Sequence, residues 1–171
     1  AWLVYKLTHS AVLLGVTAFA SQIPVFALAL LGGVIADNRD RRKVLIATQS
    51  ASMVLAFILA GLTLTGIVTV HAVIIIAALL GLVNAIDIPT RQAFVVDMVA
   101  REDLMNAIAL NSSMFNAARI VGPAVAGILV AAIGEGWCFF ANAVSYIAVI
   151  AGLILMRTEP RQRKSEQATA L

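Results

Sequence analysis

Gly33-Val34-Ile35-Ala36-Asp37-Asn38-Arg39-Asp40-Arg41-Arg42-Lys43 sits between two stretches, residues 10–36 and 44–86, that hold no Asp, Glu, Lys or Arg. Six charges fall within the seven residues 37–43. A short charged turn between charge-free apolar runs is the pattern of a loop joining two membrane helices, each of which needs roughly 20 apolar residues to cross a hydrocarbon core. Working outward, the first run predicts a span over 11–35 with Pro24 inside it. The second is too long for one crossing, even with tilt, and the polar, glycine-bearing stretch Thr63-Leu64-Thr65-Gly66 divides it into spans at 44–64 and 67–86. Residues 87–103 read as a polar connection. A fourth span covers 106–133, Gly134-Glu135-Gly136 is a tight turn, and a fifth covers 137–156. Residues 1–9 read as the end of a truncated helix, so the chain is expected to be a fragment: an all-α integral membrane bundle over 1–157, followed by a polar, basic cytoplasmic linker at 158–171, expected to be disordered.

Composition supports this reading. The 171 residues are 61% apolar and 12% charged, against about 25% charged in soluble domains. The net charge of +3 does not indicate nucleic acid, because the basic residues sit in short loops and a tail without interleaved aromatics. Cys138 is the lone cysteine, which excludes an internal disulfide, and no His/Cys/acid cluster with metal-ligand spacing is present. Ten of the twelve basic residues (Arg39, Arg41, Arg42, Lys43, Arg91, Arg101, Arg157, Arg161, Arg163 and Lys164) fall on one side if each span crosses once, leaving Lys6 opposite and Arg119 within a span. The positive-inside bias places that side, and the tail, in the cytoplasm. Trp2, Tyr5 and Trp137 then lie near the outer interface.

Asp37 closes the first full span, at the negative end of a helix, where a carboxylate needs a positive partner; Arg41 and Arg42 are near enough in sequence. It is either a solvated loop acid or a latch, paired in one conformation and released in another. The run resembles motif A of the major facilitator superfamily, G-x-L-A-D-R-x-G-R-R/K-x-x-L: Gly33, Ala36, Asp37, Arg41, Arg42 and Leu45 match, Ile35 stands for Leu, Asn38 for Arg and Asp40 for Gly. The resemblance implies a gate loop, with Gly33, Asp37, Arg41 and Arg42 as its working residues, between the second and third helices of a twelve-helix transporter. The span 106–133 adds Arg119-Ile120-Val121-Gly122-Pro123-Ala124-Val125-Ala126-Gly127, similar to the superfamily's antiporter motif G-x-x-x-G-P-x-x-G-G, with Ala118 and Ala126 in place of two glycines and Gly122, Pro123 and Gly127 matching. Ala118, Gly122 and Ala126 share a face on which helix backbones can approach closely, and Pro123 introduces a kink. Residues 87–94 and 106–112 are similar to the exporter branch called transmembrane secretion effectors. The fold implied is the N-terminal six-helix half of the superfamily, its first helix truncated, with five full transmembrane helices. The Arg of motif B is replaced by Ala77.

Arg119 is the one charge deep in a span, roughly 20 Å from its start at 1.5 Å per residue. A central charge costs about 2.5–3.5 kcal/mol on insertion scales and therefore faces a cavity or a partner. Ser112, Asn116 and Arg119 follow i, i+4, i+7, one helix face, which makes a candidate stripe of the substrate cavity; a structural ion pair is the alternative. Gln22, Asn142 and Tyr146 are further cavity candidates, and Gln49 and Asn84 further polar groups inside spans. Asp87-x-Pro89 reads as a helix stop followed by a surface turn, with Phe94, Val95 and Met98 on a short amphipathic helix at the inner leaflet. There is no G-x-x-x-x-G-K-[ST] loop, so direct ATP coupling is not expected, and no paired acids or activated nucleophile point to an enzyme. Taken with the resemblance, the expected function is export of a small drug- or siderophore-like molecule by proton antiport with alternating access, in the bacterial inner membrane. It would use no cofactor or metal, bind no nucleic acid, and take the lipid bilayer, substrate, protons and a missing C-terminal six-helix half as partners. The alternative is a non-transporting membrane scaffold or assembly factor.

Overall fold

The computed structural model describes residues 2–100 and 102–156, without the side chain of Trp2. Arg101, Arg157 and the expected linker at 158–171, with its three basic residues, lie outside the described residues. Five helices follow one another: α1 Trp2–Thr8, α2 Ala11–Asn38, α3 Arg41–Leu64, α4 Val70–Met98 and α5 Leu104–Leu155. The last four are long and apolar enough to cross a membrane. Three helix starts carry side-chain caps: Ser10 accepts from Leu13 N, Asp40 from Arg42 N and Lys43 N, and Thr69 from Ala72 N, whereas Asp103 before α5 makes no such bond. Asp40, which stands where motif A has glycine, is thus the N-cap of α3.

The 52 residues of α5 are not one rod. Gly134 takes φ 80° and ψ 165°, a backbone state open to glycine and strained for other residues. Asn111 and Leu153 line one cavity, whereas a straight helix would hold residues 42 positions apart about 63 Å from each other. The chain therefore reverses at Gly134, and α5 is two antiparallel helices. The second runs antiparallel to α3: Gly136 lies against Leu64 at one end, and Arg42 Nε donates to Leu153 O at 2.5 Å at the other. Lys6 ties α1 to this reversal through Glu135 at 2.9 Å.

The reading of 87–103 as a polar connection is corrected over 87–98. Helix α4 runs through Asp87 and Pro89 to Met98, and Phe94 packs with Leu45 and Leu153 instead of lying on the leaflet as part of a separate helix. The physical reason is tertiary. Pro89 has no N–H for the Ala85 carbonyl, and Gly32 of α2 is laid against that carbonyl and the proline ring so closely that an added methyl would collide with them. The arrangement is reciprocal: Gly81 of α4 is laid against the Ser21 carbonyl and the ring of Pro24 in α2. Proline and glycine are eight residues apart in each helix, about 12 Å along the axis. Helices α2 and α4 therefore interlock at two levels.

Among the described residues, the larger buried apolar side chains gather mainly in two patches. Leu3, Val4 and Val73 form one; Leu45, Phe94 and Leu153 form the other. Elsewhere large side chains are exposed, Phe26 by 87% and Leu30 by 86%. For a soluble protein such exposure would mark binding surfaces; for helices of this length it is a surface suited to lipid or to further helices.

Candidate functional site

Three polar assemblies bear on function. The first is the charged turn 37–43. Arg41 is a four-way clamp: Nε donates to Ala36 O at 3.1 Å, Nη1 to Ala93 O at 3.0 Å and to Asp97 Oδ2 at 2.7 Å, and Nη2 to Asp37 Oδ1 at 3.1 Å. One guanidinium thereby joins the ends of α2 and α4. Its side chain is 11% exposed, whereas Asp37 is 74% exposed. Arg42 turns the other way and donates to Leu153 O and Ile154 O at the end of α5, a cation on the negative pole of a helix. Of the two arginines expected to compensate Asp37, Arg41 does so and Arg42 serves a different helix. Asn38 Nδ2 donates to Val34 O at 3.0 Å. Gly33 has open space around it; the glycine at the close helix crossing is its neighbour, Gly32.

The second assembly was not anticipated. Asp87, read as a helix stop, is a buried carboxylate with every donor supplied by protein. Oδ1 accepts from Thr48 Oγ1 at 2.6 Å and Gln49 Nε2 at 2.8 Å; Oδ2 accepts from Arg91 Nη2 at 2.8 Å and Nε at 3.2 Å. The pair Asp87–Arg91 lies at i, i+4 and supports the helix, while Thr48 and Gln49 bind α4 to α3. The sequence signal was present: Gln49 and Asp87-x-x-x-Arg91 are polar groups beside apolar runs, and a buried acid needs donors from elsewhere. Among the described residues no buried side-chain N or O lacks a partner. Beside this cluster lies a cavity of about 410 Å3 among α3, α4 and both halves of α5, bordered by Gln49, Arg91, Phe94, Asn111, Phe115 and Leu153 among others.

The third is the stripe Ser112, Asn116 and Arg119. All three are exposed, and among the described residues Arg119 makes no ion pair or side-chain hydrogen bond. Each follows by one position a residue bordering the cavity (Asn111, Phe115 and Ala118), so the stripe lies about 100° around the helix from it. Gln22 and Asn142 are exposed and Tyr146 is half-buried; none of the three borders that cavity. Of the antiporter-motif residues, Ala118 borders it, whereas Gly122, Pro123, Ala126 and Gly127 are exposed, and methyl groups added at Gly122 or Gly127 would meet nothing.

Comparison with known proteins accords with this architecture. The family described as transmembrane secretion effector matches residues 1–170. The staphyloferrin A transporter of Staphylococcus aureus is 34% identical over 150 residues, 87% of this chain and 38% of that protein. The enterobactin exporter of Shigella boydii is 25% identical over 167 residues, 95% of this chain and 39% of that protein, and its Escherichia coli counterpart is equally similar. The chain thus spans about two fifths of the length of these relatives. No solved structure matches it. An all-helical chain with membrane-length helices, a clamped motif A turn and a family match along nearly its whole length belongs to the transmembrane secretion effectors of the major facilitator superfamily.

Proposed function

We propose that this chain is the greater part of the N-terminal half of an exporter that moves a small organic molecule out of a bacterial cell across its inner membrane. In this reading the charged turn faces the cytoplasm, the tail follows it there, and a second six-helix half completes the transport path. The observation that carries the reading is Arg119. It is a charge on a membrane-length helix, exposed on a polar stripe, and without an ion pair among the described residues. In lipid such a group needs a water-filled cavity or a partner, and folds of this kind place their substrate site near the midplane between two halves. Ser112 and Asn116 extend the stripe toward the charged turn. Gln22, Asn142 and Tyr146 are the further candidates for lining the path. The relatives' names, a staphyloferrin A transporter and an enterobactin exporter, make siderophore-like molecules the first substrates to test.

Export is coupled to proton entry, with the two halves alternating access. The full-length protein in inside-out proteoliposomes, given a pH gradient acid inside, is expected to accumulate a labelled siderophore and to lose it when an ionophore collapses the gradient. Accumulation indifferent to the gradient would remove the proton coupling. Absence of uptake across a panel of siderophores and drug-like amphiphiles would remove the export function.

Asp37 is the latch of the gate. Arg41 is held by three carbonyl or carboxylate partners besides Asp37, whose own side chain stays open to a helix of the other half. Asp37→Asn is expected to shift the balance between inward- and outward-open forms. This is measurable as altered labelling of single cysteines on the two faces; an identical labelling pattern would show that Asp37 is only a solvated loop acid.

A further inference from the structure

We infer that the cavity beside Asp87 and Arg91 is a binding site for the oxyanion head of an amphiphile, with Arg91 as the group that recognises the charge. Arg91 commits Nε and Nη2 to one oxygen of Asp87, and among the described residues no hydrogen bond engages its Nη1. Its side chain is 44% exposed, against 7% for Asp87, and it borders the cavity. The guanidinium is therefore fixed from behind by a buried acid, which is itself fixed by Thr48 and Gln49. A guanidinium held in one plane presents its remaining N–H groups in a geometry suited to carboxylate or phosphate oxygens. The carboxamide of Asn111 also borders the cavity and makes no side-chain hydrogen bond among the described residues. The remaining walls are apolar and partly aromatic, among them Phe94, Phe115 and Leu153. A polar head on Arg91 and Asn111, with an apolar body along these walls, satisfies both kinds of surface; a hydrophilic anion would leave the walls wet, and a neutral oil would leave Arg91 unanswered.

Depth agrees with an amphiphile. Arg91 is seven residues from the end of α4, about 10 Å along the axis. In the proposed orientation that is close to the headgroup level of the inner leaflet, where basic pockets between transmembrane helices take anionic lipids. The same chemistry is offered by a lipid headgroup and by an acidic amphiphile arriving from the cytoplasm.

Asp87 has two consequences for the ligand. It orients Arg91, and its own charge opposes an incoming anion. Removing that charge while keeping the side chain's shape is expected to strengthen binding, an effect that a purely structural Asp87–Arg91 pair would not produce.

The test uses the full-length protein in phosphatidylcholine nanodiscs, with dansylaminoundecanoate as probe and its methyl ester as the uncharged match. The acid is expected to bind about tenfold more tightly than the ester, the worth of one hydrogen bond to a charged group. Arg91→Gln is expected to abolish the preference, and Asp87→Asn to raise affinity for the acid and leave the ester unchanged. Should Arg91→Gln not elute as a monodisperse species, the double variant Asp87→Asn/Arg91→Gln, which removes both charges together, takes its place. Loss of the acid probe when phosphatidylglycerol is included in the discs identifies lipid as the natural source; retention identifies a soluble amphiphile. The site is overturned if acid and ester bind alike, if the preference survives removal of Arg91, or if Asp87→Asn weakens the acid. Probe binding needs no transport, so those results would leave the export reading standing.

Discussion

Gly32→Val is expected to lower stability by about 3 kcal/mol, the upper part of the range for overpacking a close contact, and to leave little monodisperse protein in detergent. The added side chain would meet the Ala85 carbonyl and the ring of Pro89. A backbone carbonyl cannot swing away as a flexible side chain can, so α2 and α4 must separate. Gly81→Val is expected to act in the same way against Ser21 and Pro24. Gly15→Val, on α2 where an added methyl meets nothing, is the control. Thermal unfolding followed by size-exclusion would separate the three; a Gly32→Val protein as stable as the Gly15→Val protein would refute the interlock.

Arg119→Ala in the full-length protein is expected to cut the initial rate of substrate efflux by roughly tenfold to a hundredfold, since a hydrogen bond to a charged group is worth about 1.5–3 kcal/mol and each 1.4 kcal/mol is about tenfold. Membrane insertion should be preserved, because removing a charge from a span favours it. Arg119→Lys should keep part of the rate, retaining the charge but not the planar fork. The contrary result is a fall in the amount of folded protein with an unchanged rate per molecule. That would make Arg119 an element of folding and favour a scaffold over a carrier.

Hydropathy made the helices readable because lipid imposes one rule on every residue of a span, and residues 10–36 and 44–86 obey it without exception. The reversal at Gly134 was also readable, since Gly134-Glu135-Gly136 interrupts an apolar run too long to cross once. The inner part of α4 was not. Asp87, Pro89 and Arg91 each argue locally for a break: a charge, a missing N–H, another charge. What keeps the helix intact lies elsewhere in the chain, in Gly32 of α2 and in Thr48 and Gln49 of α3, and no window along α4 contains them. The same holds for the site. The charged turn could be read from its spacing, including a partner for Asp37, but the reach of Arg41 to Asp97 and of Arg42 to the end of α5 depends on which helix ends gather there. Arg119 and its stripe were readable as one helix face. The cavity beside Arg91 was not, because it belongs to four separate stretches of chain.

The double interlock of α2 with α4 also bears on how the chain is made. Gly32 leaves the ribosome 57 residues before Pro89, and at about 5–20 residues per second that is a wait of about 3 to 11 s. During that interval the notch in α2 stands open to lipid and to any passing helix. A pause in translation shortly after residue 64 is therefore expected to prolong the period in which the nascent bundle is open to mispairing.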